Sequence, residues 1–167
     1  LPEQSEGEHH MSVFEHALLV HAPVEAVADF HRDSRVLQKL TPPPVLVQLH
    51  HAGAVAEGSN ADFTLWFGPL PVRWIAVHSN VAPLEGFTDR QVRGPFQHWE
   101  HVHSFIPEGD RATRVVDHIE YAHFPGVRGL FTRLAFSPVI LRVLFAFRAW
   151  VTRRALEGHA RPKESYA

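Results

Sequence analysis

Cysteine is absent from the 167-residue chain. Disulfides, a thiolate nucleophile and thiolate metal ligands are therefore excluded. Neither sign of charge is in surplus: 16 Lys and Arg face 18 Asp and Glu, for a net charge of -2. A nucleic-acid interface needs a basic excess that this balance does not supply. No uninterrupted apolar run reaches membrane-spanning length, and the most apolar stretch, 139–151, contains Arg142 and Arg148. The first ten residues are polar and acidic, without the apolar centre of a signal peptide. Phosphate loops, metalloprotease motifs and Ser nucleophile motifs are missing too. The expectation is a cytoplasmic protein with no cofactor, no metal, no nucleic-acid partner and no transmembrane segment. Homodimerisation is left open.

What is present suits one domain. Hydrophobic residues make up 45% of the chain and charged residues 20%, enough apolar material for a sizeable core. The domain is expected over 12–157, with 1–11 and 158–167 as flexible tails. A first strand reads over 12–21 and is stopped by Pro23. Two short helices follow, over 23–30 and 34–40, the second ended by Pro42, Pro43 and Pro44. Strands are expected over 45–51, 61–67, 72–81 and 87–93, then at 98–105 and 113–121, with a turn at Pro107-Glu108-Gly109-Asp110. Beyond Pro125-Gly126 the period turns helical through Val127, Leu130, Phe131 and Leu134. Ser137-Pro138 predicts a break and a restart, with the helix running to about Glu157. Ile140, Leu144, Phe147 and Val151 would line one face, with Leu141, Phe145 and Arg148 beside it. Strands and helices segregated in this way predict an α+β fold, a curved antiparallel sheet wrapped around one long helix.

Several segments resemble one known group: Ala22-Pro23-Val24-Glu25-Ala26-Val27, Leu40-Thr41-Pro42-Pro43, Gly68-Pro69-Leu70-Pro71-Val72-Arg73-Trp74, Asp89-Arg90-Gln91, Gly94-Pro95-Phe96 and Asp117-His118-Ile119-Glu120-Tyr121. Together with Trp99, His101, His103 and Phe105, they make the chain resemble the START-related superfamily of helix-grip proteins, which includes the birch-pollen allergens. Within it the chain is similar to the polyketide cyclase/dehydrase and lipid-transport families. The resemblance implies six to seven antiparallel strands around a long C-terminal helix, two short helices after the first strand, and a hydrophobic cavity between sheet and helix. It implies no particular reaction, because carriers, receptors and cyclases share this scaffold.

Alternation puts Trp99, His101, His103 and Phe105 on one sheet face and Thr113, Val115, Asp117, Ile119 and Tyr121 on the matching face of the next strand. An odd-length connection would set His101 beside Asp117 and Trp99 beside Ile119. A carboxylate there would fix the imidazole tautomer and raise its basicity, as a general base requires. The same pair also reads as a structural hydrogen bond that satisfies two polar groups. Ligand-binding candidates are Trp99, His103, Phe105, Val115, Ile119, Tyr121, Trp74, Arg90, Leu134, Leu141 and Phe145. The chain holds 14 histidines, but only His101 and His103 share a strand face closely enough to suggest ligation, so they are read as scattered. The main reading is a hydrophobic small-molecule carrier for a lipid, isoprenoid, quinone or polyketide-like ligand. One alternative is a cyclase or dehydratase using His101 and Asp117. The other is an interaction domain whose cavity is closed by aromatics.

Overall fold

The computed structural model describes residues 11–158. The expected tails lie outside the described residues except for Met11 and Gly158. Strand β1 (Ser12–Val20) leads into α1 (Val24–His31), a 3-10 turn (Ser34–Val36) and α2 (Leu37–Leu40). Six more strands follow: β2 (Leu46–His51), β3 (Asn60–Phe67), β4 (Leu70–Ala82), β5 (Gly86–Arg93), β6 (His98–Pro107) and β7 (Thr113–Ala122). A second 3-10 turn (Gly126–Gly129), α3 (Leu130–Ala135) and α4 (Pro138–Glu157) complete the domain. All seven strands form one antiparallel sheet in the order β1-β7-β6-β5-β4-β3-β2. The α+β helix-grip expectation is met.

Local chemistry explains several boundaries. The Pro23 carbonyl accepts the first turn of α1 from the Ala26 and Val27 amides. Ser137 has an extended backbone and Pro138 opens α4, so the helical arm breaks where the sequence predicts. Gly86 has φ 134, and a Cβ there would collide with the His103 carbonyl. Only glycine lets β5 approach β6 so closely at this point.

The late strands differ from expectation in register. His103, and not His101, lies opposite Asp117; His101 faces Ile119 and Trp99 faces Tyr121. The connection, residues 108–112, is odd in length as assumed, but the pairing is displaced by two residues. Side chains repeat every two residues along a strand, so the displacement leaves every face unchanged.

The helical arm shows which of its faces the sheet covers. The buried stripe of α4 is Leu141, Phe145, Ala149 and Thr152. Leu141 and Phe145, named among the ligand-binding candidates, are on it, whereas Ile140 on the adjoining face is 46% exposed. The sheet selects the stripe: Phe145 sits 5.1 Å from Phe14, 5.5 Å from His16 and 5.7 Å from His101, ring centre to ring centre. By length and composition, Gly126–Glu157 could cross a membrane, which a count of uninterrupted apolar residues did not anticipate. Here it is divided between α3 and α4 and packs one stripe on the sheet.

Two apolar clusters fill the interior. The larger joins Phe14, Phe63, Leu65, Trp74, Phe96, Trp99, Ile119, Tyr121, Phe136, Leu141 and Phe145. The smaller joins Leu18, Val20, Val27, Phe105, Val115 and Ala149. Along β1 the residue between the clusters is His16; along β6 it is His101 and His103; along β7 it is Asp117.

Candidate active site and ligand cavity

A polar belt therefore crosses the middle of an otherwise apolar interior. Its members come from separate elements. His16 comes from β1, His31 from α1, His78 from β4, Asp89 from β5, His101 and His103 from β6, Asp117 from β7 and Arg148 from α4. Each strand contributes its polar residue at an inward position, where a leucine or valine would otherwise sit.

Asp117 is the hub. His101 Nε2 lies 2.9 Å and His103 Nδ1 3.0 Å from its Oδ1, and His16 Nδ1 is 3.9 Å from Oδ2. Burial works against this carboxylate's charge, but the hydrogen bonds from His101 and His103 outweigh it and hold its pKa well below the usual range. His103 reaches a second carboxylate, with Nε2 3.3 Å from Asp89 Oδ2. Burial alone would lower the His103 pKa; hydrogen bonds to Asp117 and Asp89 overcome it and raise the pKa to about 9. With a carboxylate at each ring nitrogen, His103 is an imidazolium at neutral pH.

His101 behaves in the opposite way. Burial, reinforced by the charge on His103, lowers its pKa to about 4 despite the hydrogen bond to Asp117. It is neutral at pH 7. Donation from Nε2 to Asp117 leaves Nδ1 as its free basic nitrogen. The two rings lie 3.8 Å apart, so an acid and a base stand side by side. His31, whose Nδ1 donates to the Val27 carbonyl at 2.8 Å, is likewise pushed down to about 4, mainly by burial. Burial also lowers the Arg148 pKa, while Asp117 and Asp89 support its charge. The Asp89 pKa is lowered: burial opposes this, but the His103 hydrogen bond prevails. Asp89 Oδ1 is buried without a hydrogen-bond partner, 3.1 Å from His78 Nε2.

Above the belt lies a cavity of about 230 Å³. Phe63, Leu65, Trp74, Trp99, Phe136 and Phe145 form apolar wall, and Asp89, His101, His103 and Arg148 form the polar end. Trp74 and Trp99 meet edge to face at 5.3 Å, which rigidifies that wall. The closed-cavity expectation does not fit this space.

The structure brings five of the candidate residues together at the cavity: Trp74, Trp99, His101, His103 and Phe145. Asp117 lies directly behind them. Ile119, Tyr121 and Leu141 are buried in the larger cluster but belong to the packed core behind the cavity. Phe105 and Val115 sit in the smaller cluster, across the belt from the cavity. Arg90 points to solvent, because its neighbour Asp89 takes the inward position and alternation turns Arg90 out. Leu134 is 67% exposed, because α3 turns Thr132 and not Leu134 inward. Trp150 on α4 is 56% exposed.

His16, His31, His78, Asp89 and Arg148 were not singled out from sequence as site residues. Arg148 did carry a signal: it follows Leu141 and Phe145 at helical spacing, on the stripe the sheet buries. The other four become neighbours only through long-range pairing. Asp89, His101 and His103 each offer a donor atom within 4.8 Å of the others, so they could hold a divalent cation. Protonated His103 and Arg148 already balance the two carboxylates, and a cation would have to displace a proton from His103.

No protein-family model matches this chain, and no curated protein matches it. Solved structures do. The Zhui aromatase/cyclase from Streptomyces sp. R1128 aligns with a TM-score of 0.71 at 16% identity, covering 93% of this chain and 99% of that one. A norcoclaurine synthase point mutant from Thalictrum flavum aligns with a TM-score of 0.67 at 17% identity, covering 91% and 98%. A START superfamily protein from Mycobacterium smegmatis aligns with a TM-score of 0.64 at 13% identity, covering 89% and 99%. Identities this low speak to backbone architecture and not to substrate. The chain thus has the helix-grip fold of the START-related superfamily, the architecture it shares with these proteins.

Proposed function

We propose that this protein binds a hydrophobic small molecule in the sheet–helix cavity, with the ligand's one polar end directed at the belt. The observation that supports this reading is an apolar-walled space of about 230 Å³ that ends on Asp89, His101, His103 and Arg148. Apolar walls supply affinity at roughly 25 cal/mol per Å² of apolar area removed from water. Protonated His103, neutral His101 and Arg148 offer donors and an acceptor for a hydroxyl, carbonyl or carboxylate. The volume lies below the roughly 300–1,000 Å³ of drug-sized sites. It suits a small ring system, or the head of a longer lipid, isoprenoid, quinone or polyketide-like molecule whose tail leaves past Ile140 and Val143 at the rim. Native mass spectrometry of freshly purified protein, followed by titration with an apolar fluorophore that quenches Trp74 and Trp99, tests the reading. No retained mass and no saturable quenching would overturn it.

The paired imidazoles favour a second reading, a cyclase or dehydratase. His101 would take a proton at Nδ1 from carbon next to a carbonyl, and His103 would turn its Nε2 proton from the long 3.3 Å contact with Asp89 to the departing or enolising oxygen. Asp117 would hold both rings in place. The experiment that separates the readings is His101→Ala. In an enzyme, turnover of a reactive keto substrate falls by roughly 10²–10⁴-fold while fluorophore affinity stays near wild type. In a carrier there is no turnover to lose.

A further inference from the structure

The helical arm carries the most unusual charge distribution in the chain. Between Phe124 and Leu156 there is no aspartate or glutamate, yet there are six arginines: Arg128, Arg133, Arg142, Arg148, Arg153 and Arg154. Over a third of the chain's 16 cationic side chains fall in this one arm, although the chain as a whole is acidic by 2 charges. Of the six, all but Arg148 are exposed.

The same arm exposes large apolar side chains. Val127 is 91% exposed, Leu130 54%, Leu134 67%, Val139 64% and Val143 60%. Only 22% of its most apolar 18-residue window is buried. Such a concentration marks an interaction surface, whereas scattered exposed leucines would not. On α4, Val139, Val143 and Trp150 recur at helical spacing on the outward side, and Arg154 lies over the Trp150 ring at 5.6 Å. Tryptophan beside arginine is the composition of a membrane–water interface.

We propose that the outer surface of α3 and α4 docks on an anionic lipid bilayer, apolar side chains entering the headgroup boundary and arginines meeting lipid phosphates. Arginine matches phosphate geometry with a bidentate fork. A second copy of this chain fits the surface poorly, because a two-fold pairing of the arm would bring like charges together with no carboxylate to answer them. Insertion across the bilayer fits no better, because the arm is broken at Phe136-Ser137 and its inner stripe is committed to the sheet. Ile140 and Val143 belong both to this exposed surface and to the cavity rim. Docking therefore sets the cavity mouth against the lipid, where an apolar ligand can enter or leave without crossing water. That last step rests on the ligand-binding reading above; the docking itself does not.

Co-sedimentation of the full chain with lipid vesicles tests the proposal. Vesicles of phosphatidylcholine alone are compared with vesicles that also contain phosphatidylglycerol, at low and high salt. Binding is expected only with phosphatidylglycerol and is weakened by salt. Arg133→Gln and Arg142→Gln should each weaken it by about fivefold, the equivalent of about 1 kcal/mol per basic residue near a charged surface. Leu134→Asp and Val139→Asp should abolish it while circular dichroism and fluorophore binding in solution stay unchanged, because both residues are exposed. Three outcomes overturn the proposal: no phosphatidylglycerol-dependent binding, binding indifferent to Leu134→Asp and Val139→Asp, or a dimer in equilibrium sedimentation that Leu134→Asp dissolves. Loss of fluorophore binding in the wild type would remove the cavity reading and leave docking standing.

Discussion

Replacing Asp117 with asparagine tests the physical account of the belt. The change keeps the shape of the side chain, removes the negative charge that two imidazoles share and turns one carboxylate oxygen into an NH2 donor. In the native protein those contacts help raise the His103 pKa from 6.5 to about 9. A shift of that size corresponds to about 3 kcal/mol, from 1.36 kcal/mol per pKa unit. Asp89 shares in that shift, so the figure sets the scale and not the portion owed to Asp117; removal of one partner from a buried charged pair typically costs about 3–5 kcal/mol. The sign of the pH dependence follows from linkage. Because the folded pKa is raised, the His103 contribution is complete below pH 6.5 and is lost as pH rises through about 9. Urea unfolding should therefore show a gap between wild type and Asp117→Asn that is widest near pH 6 and narrows towards pH 9. Proton NMR of the histidine rings should show His103 titrating well below 9 in the variant. Equal stability at pH 6, with His103 still titrating near 9, would refute the argument and transfer the charge stabilisation to Asp89 alone.

Trp99→Ala should leave the fold intact and cost about 3–5 kcal/mol in urea unfolding, because Trp99 is 9% exposed and packs on Trp74, Phe96, Tyr121 and Phe136. The enlarged cavity should also change apolar-fluorophore affinity, and unchanged affinity and stability would show that Trp99 is neither wall nor core. Acidification gives a separate test. His31 and His101 have folded pKa values of about 4, so the unfolded chain binds protons that the folded chain refuses between pH 6.5 and 4. Stability should fall steeply across that window, as followed by thermal melts, and His31→Leu should flatten part of the slope. A melt curve flat from pH 6.5 to 4 would show that these rings are not held neutral by burial.

The order of elements, the α+β class and the inward face of each late strand were legible from the sequence. They rest on local chemistry: prolines at 23, 42–44 and 138 set boundaries, and period-two alternation fixes which side chains share a face. The pairing of His101 and Asp117 was legible for the same reason, since a displacement of two residues keeps both on that face and within hydrogen-bond reach. Register was not legible, because the five-residue connection permits more than one pairing and the whole sheet selects among them. The stripe of α4 that faces inward was legible at Leu141 and Phe145, and the rings of Phe14, His16 and His101 around Phe145 show why the sheet takes that stripe. Leu134 shows the limit of apolar periodicity, which marks a face but does not say whether sheet, lipid or water lies against it. The belt itself exists only in three dimensions. Asp89, His78, His31 and Arg148 come from four separate elements and converge only because those elements close on one centre.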